Sequence, residues 1–326
     1  MAGQRLMLGF NGTDFNDELR HIIEDIKACG IILFKRNIQS PEQVAALCRK
    51  CQDHAKACGI PPLFIAIDQE GGTVSRLDPP FTQFKGNPFI GSVKDAENFA
   101  LITARELKNA GINMNLAPVL DVVPEGTDSI MKKRAFAGGP ETVSELGRHM
   151  ISTFQENGIM AVAKHFPGIG RTVKDSHFFL PVLDTDYAVL ENSDLIPFQA
   201  AITGNISGIM LSHILYTDLD RKWQASLSQN IAHRILRRQM GYKGIVMTDD
   251  LDMKAIEHDM KTCIYRIMVS GIDIALICHK GPDIDIAFTE AARLLEQDGN
   301  LFDLGMKSCE RIGKLKNNYL KYPVRV

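Results

Sequence analysis

The stretch LFIAIDQEGG, residues 63–72, decides how the chain is read: a short, continuously apolar run ends abruptly in Asp68, Gln69 and Glu70. A run that is apolar at every position, not at alternate ones, suits a strand of a parallel sheet buried on both faces. Working outward, runs of the same kind recur at 4–8, 30–34, 112–120, 160–165, 208–215, 244–248 and 272–278. Longer amphipathic segments separate them. Ser40-Pro41-Glu42-Gln43 reads as a helix N-cap, a proline at the first helical position and an acidic first turn. Helix starts are also expected at Asp95-Ala96-Glu97, Gly139-Pro140-Glu141 and Ser226-Leu227-Ser228-Gln229. Eight strands alternating with helices, with no linker or low-complexity tract, predict an α/β chain folded as a single (β/α)8 TIM barrel over residues 1–326. A doubly wound open sheet is the alternative, and the count of eight favours the barrel.

A barrel should gather its chemistry just beyond the C-terminal ends of its strands. The third run ends in Asp68-Gln69-Glu70, the fourth in Asp121, the fifth in Lys164-His165. The sixth carries Ser212-His213 and then Asp218, and the seventh ends in Thr248-Asp249-Asp250. The opposite ends show nothing comparable. Asp121 and Asp218 have an equally good reading as caps or turn residues. His213, on an apolar strand, reads as a hydrogen-bonded core histidine. Lys164 is harder to dismiss, because lysine seldom ends a buried strand without a partner. The loops 123–137 and 167–186 are long and each follows a strand, which places both on the same face.

Composition excludes other classes. With 45% hydrophobic and 23% charged residues the chain is ordinary globular protein, not disordered. A net charge of -2 gives no basic face for nucleic acid or acidic lipid, and no apolar run reaches the length of a membrane span. The start, MAGQRLMLGF, shows no signal-peptide pattern. Seven cysteines without a disulfide-like framework suggest reduced thiols and a cytoplasmic protein. Cys48-x-x-Cys51 lies in a helical stretch with no second pair and reads as two plain buried thiols. Gly168-Ile169-Gly170 lacks the third glycine and the helix of a phosphate loop.

AKHFPGIGRTVKDSHFFLP, residues 163–181, resembles the KHFPGHG…DSH signature of family 3 glycoside hydrolases, in their β-N-acetylglucosaminidase branch. GIILFKRNIQSPEQV, IDQEGGTVSRL, NLAPVLDV and VMTDDLDMKAI resemble further motifs of that branch, in order along nearly the whole chain. The resemblance implies a retaining hydrolase with Asp249 as nucleophile, Asp250 being the nearest rival. It implies His177 as acid/base, with Asp175 holding its imidazole. By the same matching Asp68, Arg76, Arg134, Lys164 and His165 bind the terminal sugar, with Asp121 and Met253 as neighbours. Only about 48 residues follow the last strand and they read as closing helices, so no second domain is expected to supply the acid. The loop 167–186, with Gly168 and Gly170 near its base, is expected to move and bring His177 in.

Two positions depart from the family pattern. Ile169 stands where the pattern has histidine. The usual RSFG-x-D/N-P is Arg134-Ala135-Phe136-Ala137-Gly138-Gly139-Pro140, which weakens the cap of the following helix and the hold on Arg134. The substrate implied is a small amino-sugar molecule, GlcNAc–1,6-anhydro-MurNAc peptide, met in cell-wall recycling. The expected enzyme is a cytoplasmic monomer needing no cofactor or metal and binding neither nucleic acid nor membrane. A phosphorylase on the same scaffold is the near alternative. More distant ones are a metal-dependent barrel hydrolase using His165, His177, His213 and Asp249, and a non-catalytic sugar-binding barrel.

Overall fold

The computed structural model describes residues 1–173, 180–279 and 281–321. Eight parallel strands close into a barrel: β1 (Leu6–Leu8), β2 (Gly30–Leu33), β3 (Phe64–Ile67), β4 (Met114–Asn115), β5 (Met160–Phe166), β7 (Gly208–Leu211), β9 (Ile245–Asp250) and β10 (Ile274–Ile277). Neighbours in space are neighbours in sequence, and β1 pairs with both β2 and β10 to complete the ring. All eight expected strands are present, and the closed ring replaces the open-sheet alternative. Two further strands lie outside it: β6 (Val182–Leu183) pairs in parallel with β8 (Leu215–Tyr216). The sequence reading carried the sixth strand through Leu215. In the structure the barrel strand stops at Leu211, because Ser212 turns its carbonyl to accept from the Ser226 amide at 2.9 Å.

Helices, beginning with α1 (Asp17–Glu24), pack round this ring for the reasons the sequence suggests. In α2 (Pro41–Ala57) the Ser40 hydroxyl accepts from the Gln43 amide at 3.2 Å, and Val44, Leu47, Cys48, Cys51 and Ala55 form the buried stripe. Cys48 and Cys51 are therefore core residues; burial pushes the Cys51 thiol up to about 12 and the Cys48 thiol up likewise. The helix expected at Asp95 starts earlier, as α3 (Val93–Asn109). Its cap is Ser92, and Asp95 sits in the first turn, where a carboxylate favours the helix N-terminus. As anticipated from Gly139, α4 (Pro140–Glu156) has no side-chain cap. At the start of the π-type helix Asn230–Gln239, Ser228 Oγ accepts from the Ile231 amide at 3.1 Å.

The inside of the barrel is filled by methionine-rich side chains, among them Met7, Met114, Met160, Met210 and Met247, with Phe64 and Leu276. Flexible thioethers fit the tapering space that strands of unequal length leave. The floor is closed by the last described helix, Gly299–Leu320, whose Ile312, Leu315, Tyr319 and Leu320 pack beneath that core. Lys316 on the same helix is fully buried, with Nζ 3.2 Å from Gln4 Oε1 and 5.0 Å from the Phe64 ring centre. Burial lowers its pKa from 10.5 to about 8.

A lysine depressed on folding weakens the native state wherever it is charged there. The loss is complete below about 8 and disappears as pH rises to 10.5, when the unfolded chain also deprotonates. Lys316→Met should therefore raise the free energy of unfolding at pH 7 by roughly 2–4 kcal/mol. The gain should shrink toward zero by pH 10.5. Urea denaturation at both pH values checks it; an unchanged or lower midpoint at pH 7 would show that the ammonium is better solvated than its packing implies.

Candidate active site

The polar strand ends converge on one cavity at the C-terminal face. It has a volume of about 290 Å³ and is lined by Asp68, Val74, Arg76, Ile130, Met131, Arg134, Lys164, His165, Ile169, Asp249 and Met253. Every described member of the expected site is in that list. Asp175 and His177 fall in 174–179, outside the described residues.

The end of β3 is fixed by a side-chain clamp. Asn115, on β4, accepts from the Gln69 amide at 3.0 Å and donates to the Gln69 carbonyl at 3.1 Å. Gln69 in turn accepts from the Arg76 and Leu77 amides at 2.9 and 3.2 Å. The chain between them reverses through Gly71 and Gly72, whose φ values of 80° and 63° are costly for other residues. Asp68 and Glu70, two residues apart, are thereby aimed to the same side.

Their partners come from three other segments. Lys164 Nζ lies 2.8 Å from Asp68 Oδ1 and 2.7 Å from Glu70 Oε1. Arg76 donates to Asp68 Oδ2 at 3.2 Å. Arg134 grips Glu70 with both arms, Nη2 to Oε1 at 2.8 Å and Nε to Oε2 at 3.0 Å. This bidentate pair answers the question raised by the altered 134–140 motif: Arg134 is held from across the cup, not by its own loop. Burial opposes ionisation of Glu70, but Lys164 and Arg134 outweigh it and bring the carboxyl down to about 2. The same balance, with Lys164 and Arg76 as the cations, holds Asp68 well below the usual carboxylate range.

His165 completes the chain of contacts. Arg134 Nη2 donates to Nε2 at 3.3 Å, which leaves the proton on Nδ1, and Nδ1 donates to Asp121 Oδ2 at 2.8 Å. Asp121, fully buried, also accepts from the Ile169 amide at 2.8 Å. It is an organiser of the site, not a cap. Asp218 follows the other reading and accepts from the Tyr187 amide at 2.8 Å in a loop. His213 is a hydrogen-bonded core histidine: Nδ1 meets Ser226 Oγ at 2.6 Å and Nε2 meets the Asp250 carbonyl at 2.8 Å. With both nitrogens of His165 and of His213 engaged, these two are poorly placed to join Asp249 round a metal.

Asp249 and Asp250 separate as alternation suggests. Asp249 faces the cavity. Its burial opposes ionisation, but His213, His165, the Asp250 amide and Lys164 hold its carboxyl below the usual range. Asp250 turns to the rim, where its Oδ1 accepts from the Asp252 and Cys278 amides at 3.1 and 3.0 Å. Burial and the neighbouring Asp252 push it up to about 6. An ionised Asp249 in a cation-lined cup is suited to meeting positive charge.

The two ends of the 167–186 loop are anchored. Tyr216 Oη donates to the Gly168 carbonyl at 2.9 Å and Arg171 Nε to Asp194 at 3.0 Å, while the Leu215 amide donates to the Pro181 carbonyl at 3.0 Å. Gly168 and Gly170 serve close approach: a Cβ on Gly168 would stand 2.9 Å from Asp194 Cβ, and one on Gly170 would meet the Val122 carbonyl. Both glycines near the base of the loop thus sit in tightly packed roots.

Glu70 was missed as a functional residue by sequence reasoning, although its signal was there. Two acids at alternate positions beyond a buried strand need more than one cation, and three cations were already assigned to the cup. Glu70→Gln should lower the free energy of unfolding at neutral pH by about 3–5 kcal/mol, since Lys164 and Arg134 stay buried with one countercharge fewer. A carboxyl depressed on folding contributes fully above 4.5 and loses its contribution as pH falls toward about 2. The parent and variant should therefore converge in acid. Equal urea midpoints at neutral pH would contradict the assignment.

Comparison with known proteins agrees with this geometry. The model of the glycosyl hydrolase family 3 N-terminal domain matches residues 3–298. A beta-hexosaminidase of Alkalilimnicola ehrlichii is 35% identical over 285 residues, covering 84% of this chain and 80% of that protein. A family 3 beta-N-acetylglucosaminidase from Paenibacillus sp. superposes with a TM-score of 0.94 at 34% identity, over 100% of this chain but 63% of that one. A beta-N-acetylhexosaminidase from Beutenbergia cavernae gives 0.89 at 26% identity, over 97% of each chain. The chain belongs to glycosyl hydrolase family 3 and is a glycoside hydrolase.

Proposed function

We propose that the protein is a retaining, exo-acting β-N-acetylglucosaminidase. The observation that carries this is the half-buried, ionised Asp249 in a cavity of about 290 Å³ ringed by Asp68, Arg76, Arg134 and Lys164. That volume suits one terminal sugar ring. Fixed carboxylate acceptors and cationic donors match its hydroxyls, and Val74, Ile130, Met131, Ile169 and Met253 offer apolar walls to an acetyl methyl. The names of the relatives favour an N-acetylated sugar.

In this mechanism an Asp249 oxygen bonds to the anomeric carbon as the glycosidic C–O bond breaks. The leaving oxygen takes a proton from His177. The imidazole then removes a proton from water, which attacks the anomeric carbon and releases Asp249 with net retention. The argument for an acid outside the cup is electrostatic. Asp68, the other cavity-lining carboxylate among the described residues, is locked in ion pairs with Lys164 and Arg76 and stays deprotonated. In this reading the imidazole of His177, with Asp175 as its partner, supplies the missing proton. We assign the substrate to GlcNAc–1,6-anhydro-MurNAc peptides of cell-wall recycling, handled by a cytoplasmic monomer without nucleic-acid or membrane partners.

The direct test is incubation with an aryl β-N-acetylglucosaminide and the matching β-glucoside in phosphate buffer. Preferential release of free N-acetylglucosamine supports the proposal. Sugar-1-phosphate would assign a phosphorylase, and preference for glucoside would overturn the substrate class. Two variants probe the roles. Asp249→Ala should abolish turnover of every substrate, and a fluorinated glycosyl donor should label Asp249 in the parent. His177→Ala should slow natural substrates by roughly 10²–10⁴-fold while aryl glycosides with good leaving groups lose far less in the glycosylation step. Equal losses for both leaving groups would remove His177 from the acid/base role.

A further inference from the structure

Beyond β9 and β10 two loops meet at the rim of the barrel, beside the cavity and not in it. Three side chains converge there. His279 Nδ1 lies 3.4 Å from Asp250 Oδ2 and 3.4 Å from Asp252 Oδ2, and one ligand-type atom from each residue lies within 4.8 Å of the others. The two equal distances are long for hydrogen bonds, which cluster at about 2.7–3.2 Å. They are ion-pair distances for a protonated imidazole, and they also lie near the roughly 3.3–3.4 Å that bonds of about 2.0–2.1 Å put between adjacent tetrahedral ligands of a small cation.

Besides facing the imidazole, the carboxylates are held by the backbone. Asp250 Oδ1 accepts from the Asp252 amide at 3.1 Å and the Cys278 amide at 3.0 Å. Asp252 Oδ2 accepts from the His279 amide at 2.7 Å. These bonds set the direction of both acids and leave Asp250 Oδ2 turned toward His279, the kind of outer support that orients ligands in metal centres. The acids are deep, with 13% and 17% of their side chains exposed, while the imidazole is 61% exposed and forms an open side through which an ion can enter. Asp249, Asp250 and Asp252 also bring three carboxyl groups into four consecutive residues, a concentration of like charge that a cation relieves.

We infer that Asp250, Asp252 and His279 form a binding site for a borderline divalent cation of the zinc class, with solvent completing its coordination. One imidazole and two carboxylates suit such an ion better than a soft monovalent one, which prefers sulfur. The site is separate from the sugar-binding cup and does not depend on which sugar the cup takes. It is linked to the cup through one peptide, since the Asp250 amide donates to Asp249 Oδ1 at 2.9 Å.

The test is calorimetric titration of zinc into the chelator-treated full chain. A Cys58→Ser background is used, because Glu24, His54 and Cys58 form the other described group able to compete for the ion. One equivalent should bind, and His279→Ala and Asp252→Asn should each weaken it by about 10–100-fold or more. Zinc should raise the unfolding temperature of the parent and not of either variant, and the variants should match the parent's far-ultraviolet circular dichroism without metal. No binding to the parent, or parental affinity in either folded variant, overturns the inference.

Discussion

The ammonium of Lys164 is the charge on which the cup depends. It is almost completely buried, 2.8 Å from one carboxylate and 2.7 Å from another. A lone ammonium in such a place would give up its proton or be forced out. Here Asp68 and Glu70 keep it charged, and it keeps them charged. Arg76 extends the set on one side and Arg134 on the other, and Arg134 passes the order on to His165 and Asp121. Buried ion pairs are weak contributors to stability once desolvation is counted. What this set provides is placement: each group is tied by at least one other and presents a fixed array of donors and acceptors to the cavity.

That array needs consecutive residues to face one way, which a regular strand forbids. The barrel solves this with irregular pairing. The β5–β7 register shifts between Ala163 and Phe166, and within it Lys164 and His165 both reach the cavity. The β9–β10 register shifts opposite Ile274 and Leu276, where Thr248 Oγ1 takes a ladder position by accepting from the Leu276 amide at 3.0 Å. Asp249 stands at that irregularity. Such bulges re-aim side chains where function asks for it. Even the two-residue β4 has a part, since its Asn115 spends its side chain on clamping Gln69 instead of packing the core.

The barrel and most of its cup were legible because both rest on short-range pattern. Continuous apolar runs marked all eight strands, and the polar residues after them marked the open end. Asp68, Arg76, Arg134, Lys164, His165 and Asp249 were named from motifs and meet in one cavity. What pattern could not supply was pairing across the ring. Glu70 and Asp121 matter because of what lies opposite them, and a linear sequence does not say which cation faces which acid. The β6–β8 pair was invisible for the same reason: two residues on each side carry no period to detect. The start of α3 was misplaced by three residues because Asp95 is a credible cap in isolation, and Ser92, one turn earlier, wins by its hydroxyl bond to the Asp95 amide. Lys316 escaped notice since it lies on a helix whose polar spacing gave no hint that it faces the barrel floor.

The electrostatics of the cup explain why a hydrolase of this kind would place its proton donor on a loop. A general acid must be protonated near neutrality and able to release its proton. Within the cup, Asp68 and Glu70 are held below their ordinary values by neighbouring cations, and Asp249 is held below its own by His213 and the other groups round it. The features that make these carboxylates good acceptors for sugar hydroxyls, or a good nucleophile, make them poor acids. Raising one of them would require removing a cation that another needs. Asp250, which is raised, accepts backbone amides and faces the rim. Binding and proton transfer are therefore in conflict inside one network of shared charges. In the proposed mechanism the imidazole of His177 belongs to a separate segment, whose roots are fastened by Tyr216, Asp194 and Leu215, so that the two functions can be tuned independently. On that reading the substitution of Ile169 for histidine acts at the loop root, not on the chemistry. Its amide still donates to Asp121 at 2.8 Å, and that bond belongs to the backbone, whichever side chain the position carries.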